Sequence, residues 1–201
     1  PFSFSISAIG ETCSSAIQVP SLPYNTSGDT ANYGDTIDGA PGAGCGSTSS
    51  YLNGNDVFYA YTPTETGIIS ITMTPTGSYS GLFVYNGCAN VGVSCVAGVA
   101  SSTTGVREIP LLSVTAGQTY IIVISTWAAP QTTAYNLVIQ KVNCTPPTAL
   151  TASNFGQTSA TLAWGNPGNL ATSWQVDVQT AGTPIPSGAG VTTTNNTAYP
   201  A

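Results

Sequence analysis

Short runs rich in branched and aromatic residues, separated by turn residues, recur along most of this chain. Through Asp56-Val57-Phe58-Tyr59-Ala60-Tyr61, Val57, Tyr59 and Tyr61 fall on one face and Asp56, Phe58 and Ala60 on the other. A period of two in branched and aromatic residues is that of a β-strand. Aromatic rings on both faces predict cover on both sides, as in a central strand of a sandwich. Asn53-Gly54 before this strand is a turn signal, and Pro63 closes it. The same pattern predicts strands over 67–73, 81–85, 106–112, 119–124 and 134–139. Ile17, Val19 and Leu22 suit an edge strand, its pairing limited by Pro20 and Pro23. In 1–9, Phe2, Phe4 and Ile6 alternate with serines, a half-buried strand. Residues 25–56 read as a long polar loop with a strand-like patch at 30–33. One helical turn is expected around Cys13 to Ile17 and no longer helix. Roughly eight to ten short strands separated by turn residues predict an all-β sandwich or barrel.

Cys144-Thr145-Pro146-Pro147 reads as a stiff linker. After it, strands are expected around Leu150 and Ala152, over 159–164 and over 173–179, with 181–201 as loop. Trp164 in the second of these strands is a sandwich signature. The segment has 58 residues (144 to 201), against the ~100 of an immunoglobulin-like sandwich, so it reads as unfinished.

Composition narrows the function. Charged residues make up 5% of the 201 residues, against roughly 25% in ordinary globular proteins, so Thr, Ser, Asn, Gln and Gly must hydrate the surface. Lys141 and Arg107 are the only basic residues and the formal net charge is −6. Nucleic acid as a partner is excluded for want of a basic patch, and so are anionic membrane surfaces. No apolar run is long enough to insert into a bilayer. Five cysteines with no histidine and no Cys-x-x-Cys pair argue against zinc and for an oxidising, extracellular compartment. The spacing suggests bridges Cys13–Cys45 and Cys88–Cys95, leaving Cys144 odd. Without histidine, Ser-His-Asp and Cys-His catalysis fall away. None of the eight acids stands in an aromatic-rich catalytic setting, so no catalytic residue is assigned and no enzyme activity is expected.

Two stretches resemble known families. Residues 144–201 resemble the first half of a fibronectin type III domain, through 146–150, 158–164 and Trp174-Gln175-Val176. Residues 10–143 resemble the secreted pre-peptidase C-terminal-like jelly-roll modules of Bacteroidetes-type bacteria. The segments that carry this likeness are 11–17, 55–59, 82–88 and 112–120. The resemblance implies a jelly-roll β-sandwich over 10–143 joined to an incomplete fibronectin type III sandwich over 144–201. Residues 1–9 would be the terminal β-strand of a preceding or neighbouring fibronectin-like module, or else an edge strand of the jelly roll. Cys144 would pair within the missing half.

The expected function is a structural and adhesive repeat of an extracellular bacterial surface fibre, with neighbouring copies of itself and surface glycans as partners. The alternatives are a carbohydrate-binding accessory module of a secreted hydrolase and a filament subunit assembling by β-strand donation. Modules of this resemblance sometimes carry calcium, and the oxygen-bearing candidates here are Glu11, Asn53, Asn55 and Asp56. The plainer reading of Asp56 is a carboxylate that bonds loop amides. Asp29-Thr30-Ala31 and Asp35-Thr36-Ile37 match the pattern on which such secreted proteins are O-glycosylated, making Thr30 and Thr36 candidates. Tyr33, Tyr51, Tyr79 and Trp127 lie in or near loops and could stack on sugar rings.

Overall fold

The structure is a computed structural model that describes residues 8–142, 146–167, 171–179, 182, 190–197 and 199–200. It divides into two compact units, 1–142 and 143–201.

The first unit is an all-β sandwich. Its strands in chain order are β1 (Ile17–Val19), β2 (Tyr24–Asp29), β3 (Val57–Tyr61), β4 (Gly67–Pro75), β5 (Ser80–Asn86), β6 (Cys95–Ser101), β7 (Arg107–Val114), β8 (Tyr120–Thr126) and β9 (Ala134–Lys141). One sheet runs β1-β3-β8-β5-β6 and the other β2-β9-β4-β7. Every pairing between neighbours is antiparallel except β1 with β3. Strands β2 to β9 thus pass back and forth between the sheets, with β5 and β6 a hairpin within one of them, in the jelly-roll arrangement.

The alternation of β3 is realised as two cores. Val57, Tyr59 and Tyr61 point between the sheets with Ile71, Met73, Leu82, Val84, Ile122, Ile124, Leu137 and Ile139. Phe58 and Ala60 point outward with Phe83, Tyr85, Ile121 and Val123, into a second apolar cluster with Tyr51, Leu52 and Cys45. The long β2–β3 segment supplies that cover. It leaves the sheet near Gly39 and returns at Leu52, whose amide donates to the Gly39 carbonyl (3.1 Å). Between them Ala43 bonds to the start of β6, its N–H donating to the Val93 carbonyl (2.9 Å) and its carbonyl accepting from Cys95 N–H (2.8 Å). The cover is therefore a loop, where cover by another sheet would have been the simpler inference. A Tyr59–Tyr135 hydroxyl bond (2.7 Å) ties the two sheets through the inner core.

Two disulfides staple this cover down. They join Cys13 to Cys88 and Cys45 to Cys95, which corrects the pairing Cys13–Cys45 and Cys88–Cys95 suggested by spacing. Sequence proximity misled, because Cys88 and Cys95 flank the β5–β6 turn and each faces a different covering segment. Both bridges pin irregular chain to that one hairpin. Cys144 lies outside the described residues, as does most of the expected strand 1–9.

Strands β2 and β6 were not expected from their sequences. Tyr24-Asn-Thr-Ser-Gly-Asp29 is polar and becomes a strand by pairing with β9 along its full length. Cys95-Val-Ala-Gly-Val-Ala-Ser101 is small and aperiodic, and becomes one by pairing with β5. Conversely 30–33 holds a single 3-10 turn, Thr30–Asn32, capped by Asp29, whose side chain accepts from the Ala31 amide (2.9 Å). The turn expected after Gly10 is the 3-10 segment Cys13–Ser15.

In the second unit β10 (Thr148–Ser153), β11 (Thr161–Gly165) and β14 (Tyr199–Pro200) form one sheet, and β12 (Trp174–Val176) and β13 (Val191–Thr193) another. Strands β13 and β14 fall where the sequence pattern suggested only loop. Trp164 and Trp174 meet edge to face, centroids 5.9 Å apart. Pro147, Leu150, Leu162, both tryptophans and Val176 line a groove of about 440 Å³.

Candidate functional site

The β2–β3, β4–β5, β6–β7 and β8–β9 connections all emerge at one end of the jelly roll. This follows from the registers: Val57 pairs with Ile124, Ser80 with Thr126 and with Ser101, and Pro75 with Tyr135. Three of the four aromatic candidates meet there. Trp127 directly follows β8, Tyr79 directly precedes β5, and Tyr51 lies on the returning limb of the covering loop. Trp127 stacks on Tyr79 with centroids 5.9 Å apart and planes at 23°, and tilts against Tyr51 at 6.0 Å. Tyr51 is buried, whereas Trp127 and Tyr79 remain 38% and 40% exposed. Tyr33 does not join them; it packs on the inner core.

The pair is held from its backbone. Trp127 N–H donates to the Tyr79 carbonyl (3.0 Å), and Gln131 N–H closes the turn onto the Trp127 carbonyl (3.0 Å). Tyr79 has φ +54°, a left-handed conformation unusual for a tyrosine that the surrounding contacts must stabilise. Beneath it lies Arg107, to which the sequence alone assigned no role. It is 1% exposed. Its Nε donates to the Ser80 carbonyl (2.8 Å), one terminal nitrogen to Ser101 (2.8 Å) and Thr103 (2.5 Å), and the other to Gly105. A guanidinium offers five donors in a fixed fork, and here they gather the β6–β7 loop against the start of β5. Burial draws its pKa below the usual arginine value. The only legible signal was that one of two basic residues begins a strand.

Beside the aromatic pair lies a polar cluster around Asp56. Its side chain is fully buried. Oδ2 accepts from the Thr36 and Ile37 amides (both 3.0 Å), so the plainer reading of Asp56 describes it. Among the described residues Oδ1 accepts no hydrogen bond of ordinary geometry. Ser125 is close by, but its hydroxyl donates to the Gly54 carbonyl (3.3 Å). Burial raises the Asp56 pKa from 3.8 to about 7, against the lowering effects of Ser125 and the two amides and with a further rise from Asp35. Gln131 links this cluster to the aromatic turn, its Nε2 donating to Asn55 Oδ1 (3.1 Å) and Asp35 Oδ2 (3.3 Å).

Each of the four calcium candidates has a side-chain oxygen that accepts from an N–H group in this structure. Calcium takes roughly six to eight oxygens around one point. Here Asn53 Oδ1 accepts from Gly39 N–H (2.6 Å), Asn55 Oδ1 from Gln131, Asp56 Oδ2 from the loop amides and Glu11 Oε2 from Ala8 N–H (2.9 Å). No group of three or more His, Cys, Asp or Glu side chains is placed to hold a metal among the described residues.

The two glycosylation candidates part company. Thr30 is 0% exposed and its hydroxyl accepts from Thr133 N–H (2.9 Å), so the folded protein withholds it. Its Asp-Thr-Ala signal is a capped turn. Thr36 is exposed, with its hydroxyl donating to the Glu11 carbonyl (3.1 Å).

Gly54 explains why this end packs so closely. A Cβ there would run into Thr126 Oγ1 and come within 2.7 Å of the Gln131 carbonyl. Gly54→Ala is expected to lower stability by about 1–3 kcal/mol through overpacking, read from urea denaturation midpoints.

No protein-family model matches this sequence, and no curated protein matches it. Among solved structures, the chain is similar to PliG of Aeromonas hydrophila, a periplasmic inhibitor of g-type lysozyme, with 12% identity and a TM-score of 0.35 over 62% of this chain and 94% of that one. It is also similar to the GH26-CBM35 β-(1,4)-mannanase of Podospora anserina, with 12% identity and a TM-score of 0.31 over 65% of this chain and 28% of that one. Two disulfides mark a β-sandwich protein of an extracellular or periplasmic compartment. No helix among the described residues is long and apolar enough to cross a membrane.

Proposed function

We propose that this chain is a non-catalytic structural and adhesive module of an extracellular surface protein, and that its adhesive face binds carbohydrate through Trp127 and Tyr79. The observation that carries this reading is an exposed, mutually stacked Trp–Tyr pair at the loop end of a disulfide-stapled jelly roll, with Tyr79 held in a left-handed conformation. Such an arrangement spends backbone strain to keep two rings at the surface, where burial would be the lower-energy default. The apolar face of a sugar ring can lie on an aromatic ring while its hydroxyls meet polar groups around it. Gln131, Asn55 and Asp35 supply such groups beside the aromatic turn. The reading is of binding, since a chain without histidine offers no nucleophile–histidine pair.

A surface-fibre setting is supported by two all-β units in tandem and by the resemblance of the first to pre-peptidase C-terminal-like modules and of the second to fibronectin type III domains. Strand order β2-β9-β4-β7 facing β3-β8-β5-β6 suits the first resemblance, and Trp164 against Trp174 suits the second.

Retention of the protein in native gels containing dissolved polysaccharides tests the binding. Trp127→Ala is expected to weaken retention at least tenfold, about 1.4 kcal/mol, with a melting temperature within about 3 °C of the parent. Retention unaffected by the substitution, or absent with every polysaccharide, would remove this reading.

A further inference from the structure

We infer that the Tyr79–Trp127 face selects uncharged glycans and turns away chains bearing carboxylate or sulfate groups. This deepens the carbohydrate-binding reading and rests on it. The argument starts from the whole sequence, which has two basic side chains. Neither can reach a ligand on Trp127. Lys141 ends β9, seven residues from Ala134 at the aromatic end, which is about 23 Å along a strand at roughly 3.3 Å per residue. There it is paired with Glu65 (2.7 Å). Arg107 lies beneath the aromatic pair, but it is buried and its fork is given over to the carbonyls of Ser80, Ser101, Thr103 and Gly105.

What the same end does carry is negative. Asp35 and Asp38 are exposed on the β2–β3 segment, and Asp29 ends β2. Asp35 stands closest to the aromatic turn, since Gln131 donates to its Oδ2 (3.3 Å) while the Gln131 amide binds the Trp127 carbonyl (3.0 Å). An ionised carboxylate is an acceptor only. It therefore suits the donor hydroxyls of a neutral sugar ring. A ligand carboxylate or sulfate would bring it a like charge with no cation to offset it, which is how a surface discriminates by repulsion.

The test is affinity electrophoresis of the full chain through gels holding galactomannan, xyloglucan or hydroxyethylcellulose, and through gels holding polygalacturonate or alginate. At least one neutral polymer is expected to retard the protein at least tenfold more strongly than either anionic one. Asp35→Lys is expected to narrow that ratio below threefold by raising retention on the anionic polymers at least threefold. Anionic polymers retained as tightly as neutral ones, through a site still sensitive to Trp127→Ala, would overturn the selectivity and leave the binding face standing. A ratio unmoved by Asp35→Lys would overturn the role of Asp35. Retention by no polymer would overturn the carbohydrate reading itself and this inference with it.

Discussion

Asp56→Asn is expected to make the protein more stable at pH 8 and to flatten its stability between pH 5 and 8. The parent carboxyl is buried, and burial lifts its pKa from 3.8 to about 7. Below about pH 4 both folded and unfolded chains hold this proton and its contribution is complete. As pH rises toward 7 the unfolded chain releases the proton and the folded one keeps it. Stability then falls by about 1.4 kcal/mol per pH unit, on the order of 4 kcal/mol over the whole window. Above 7 the folded state carries a buried anion and the loss is complete. Asparagine reproduces the protonated form at every pH. Its oxygen can accept from the Thr36 and Ile37 amides, and its NH2 can donate toward Ser125 or the Gly54 carbonyl. With no histidine in the sequence, no other side-chain type ordinarily titrates between pH 5 and 8. Urea denaturation of parent and variant at pH 5 and pH 8 reads the effect. A parent equally stable at both values would show that Asp56 ionises in the fold without penalty.

Paired replacement of Cys45 and Cys95 by alanine is expected to cost about 4 kcal/mol. The bridge closes a loop with a sequence separation of 50, and removing that constraint restores roughly this much entropy to the unfolded chain on the loop-closure model. Against the roughly 5–15 kcal/mol that stabilises a typical domain, this leaves little. The damage has a place as well as a size. The covering loop is held over Phe58, Phe83 and Tyr85 by Cys45 on its outward limb and carries Tyr51 on its return. Loosening it opens the outer core and withdraws the ring that backs Trp127. Thermal unfolding gives the cost. Peptide mapping under non-reducing conditions gives the connectivity, with Cys13 peptides linked to Cys88 and Cys45 peptides to Cys95. Recovery of a linked Cys13–Cys45 peptide would contradict the arrangement.

Much of the framework was legible in the residues because burial imposes a period of two wherever strand faces are apolar. Strands β4, β7 and β9 carry that mark, while β3, β5 and β8, covered on both faces, show nearly unbroken apolar runs bounded by turn residues. Strand β2 shows neither, because its polar side chains stay half exposed at the sheet edge and its order comes from the β9 ladder. Strand β6 shows neither, because Gly98 must leave room for the Cys45 carbonyl of the covering loop, so small residues replace an alternating stripe. The candidate site was legible in part. Exposed-loop aromatics could be picked out singly, but nothing in the spacing said that positions 51, 79 and 127 would meet or that 33 would not. Gln131 gave no sign at all, and Arg107 only that one of two basic residues stands at a strand start. Their roles depend on the carbonyls and amides that other segments bring to them.

By itself the amino-acid sequence determined that this would be an all-β, charge-poor, histidine-free protein whose central strand is buried on both faces. Those properties follow from composition and from local periodicity, which act between neighbours along the chain. The tertiary structure alone decided which cysteines bond, which threonine stays at the surface, where the two cations are confined and which rings stand together. Each of these depends on segments tens of residues apart meeting across a sheet or a turn, and backbone hydrogen bonding sets that meeting in a register that no local pattern encodes.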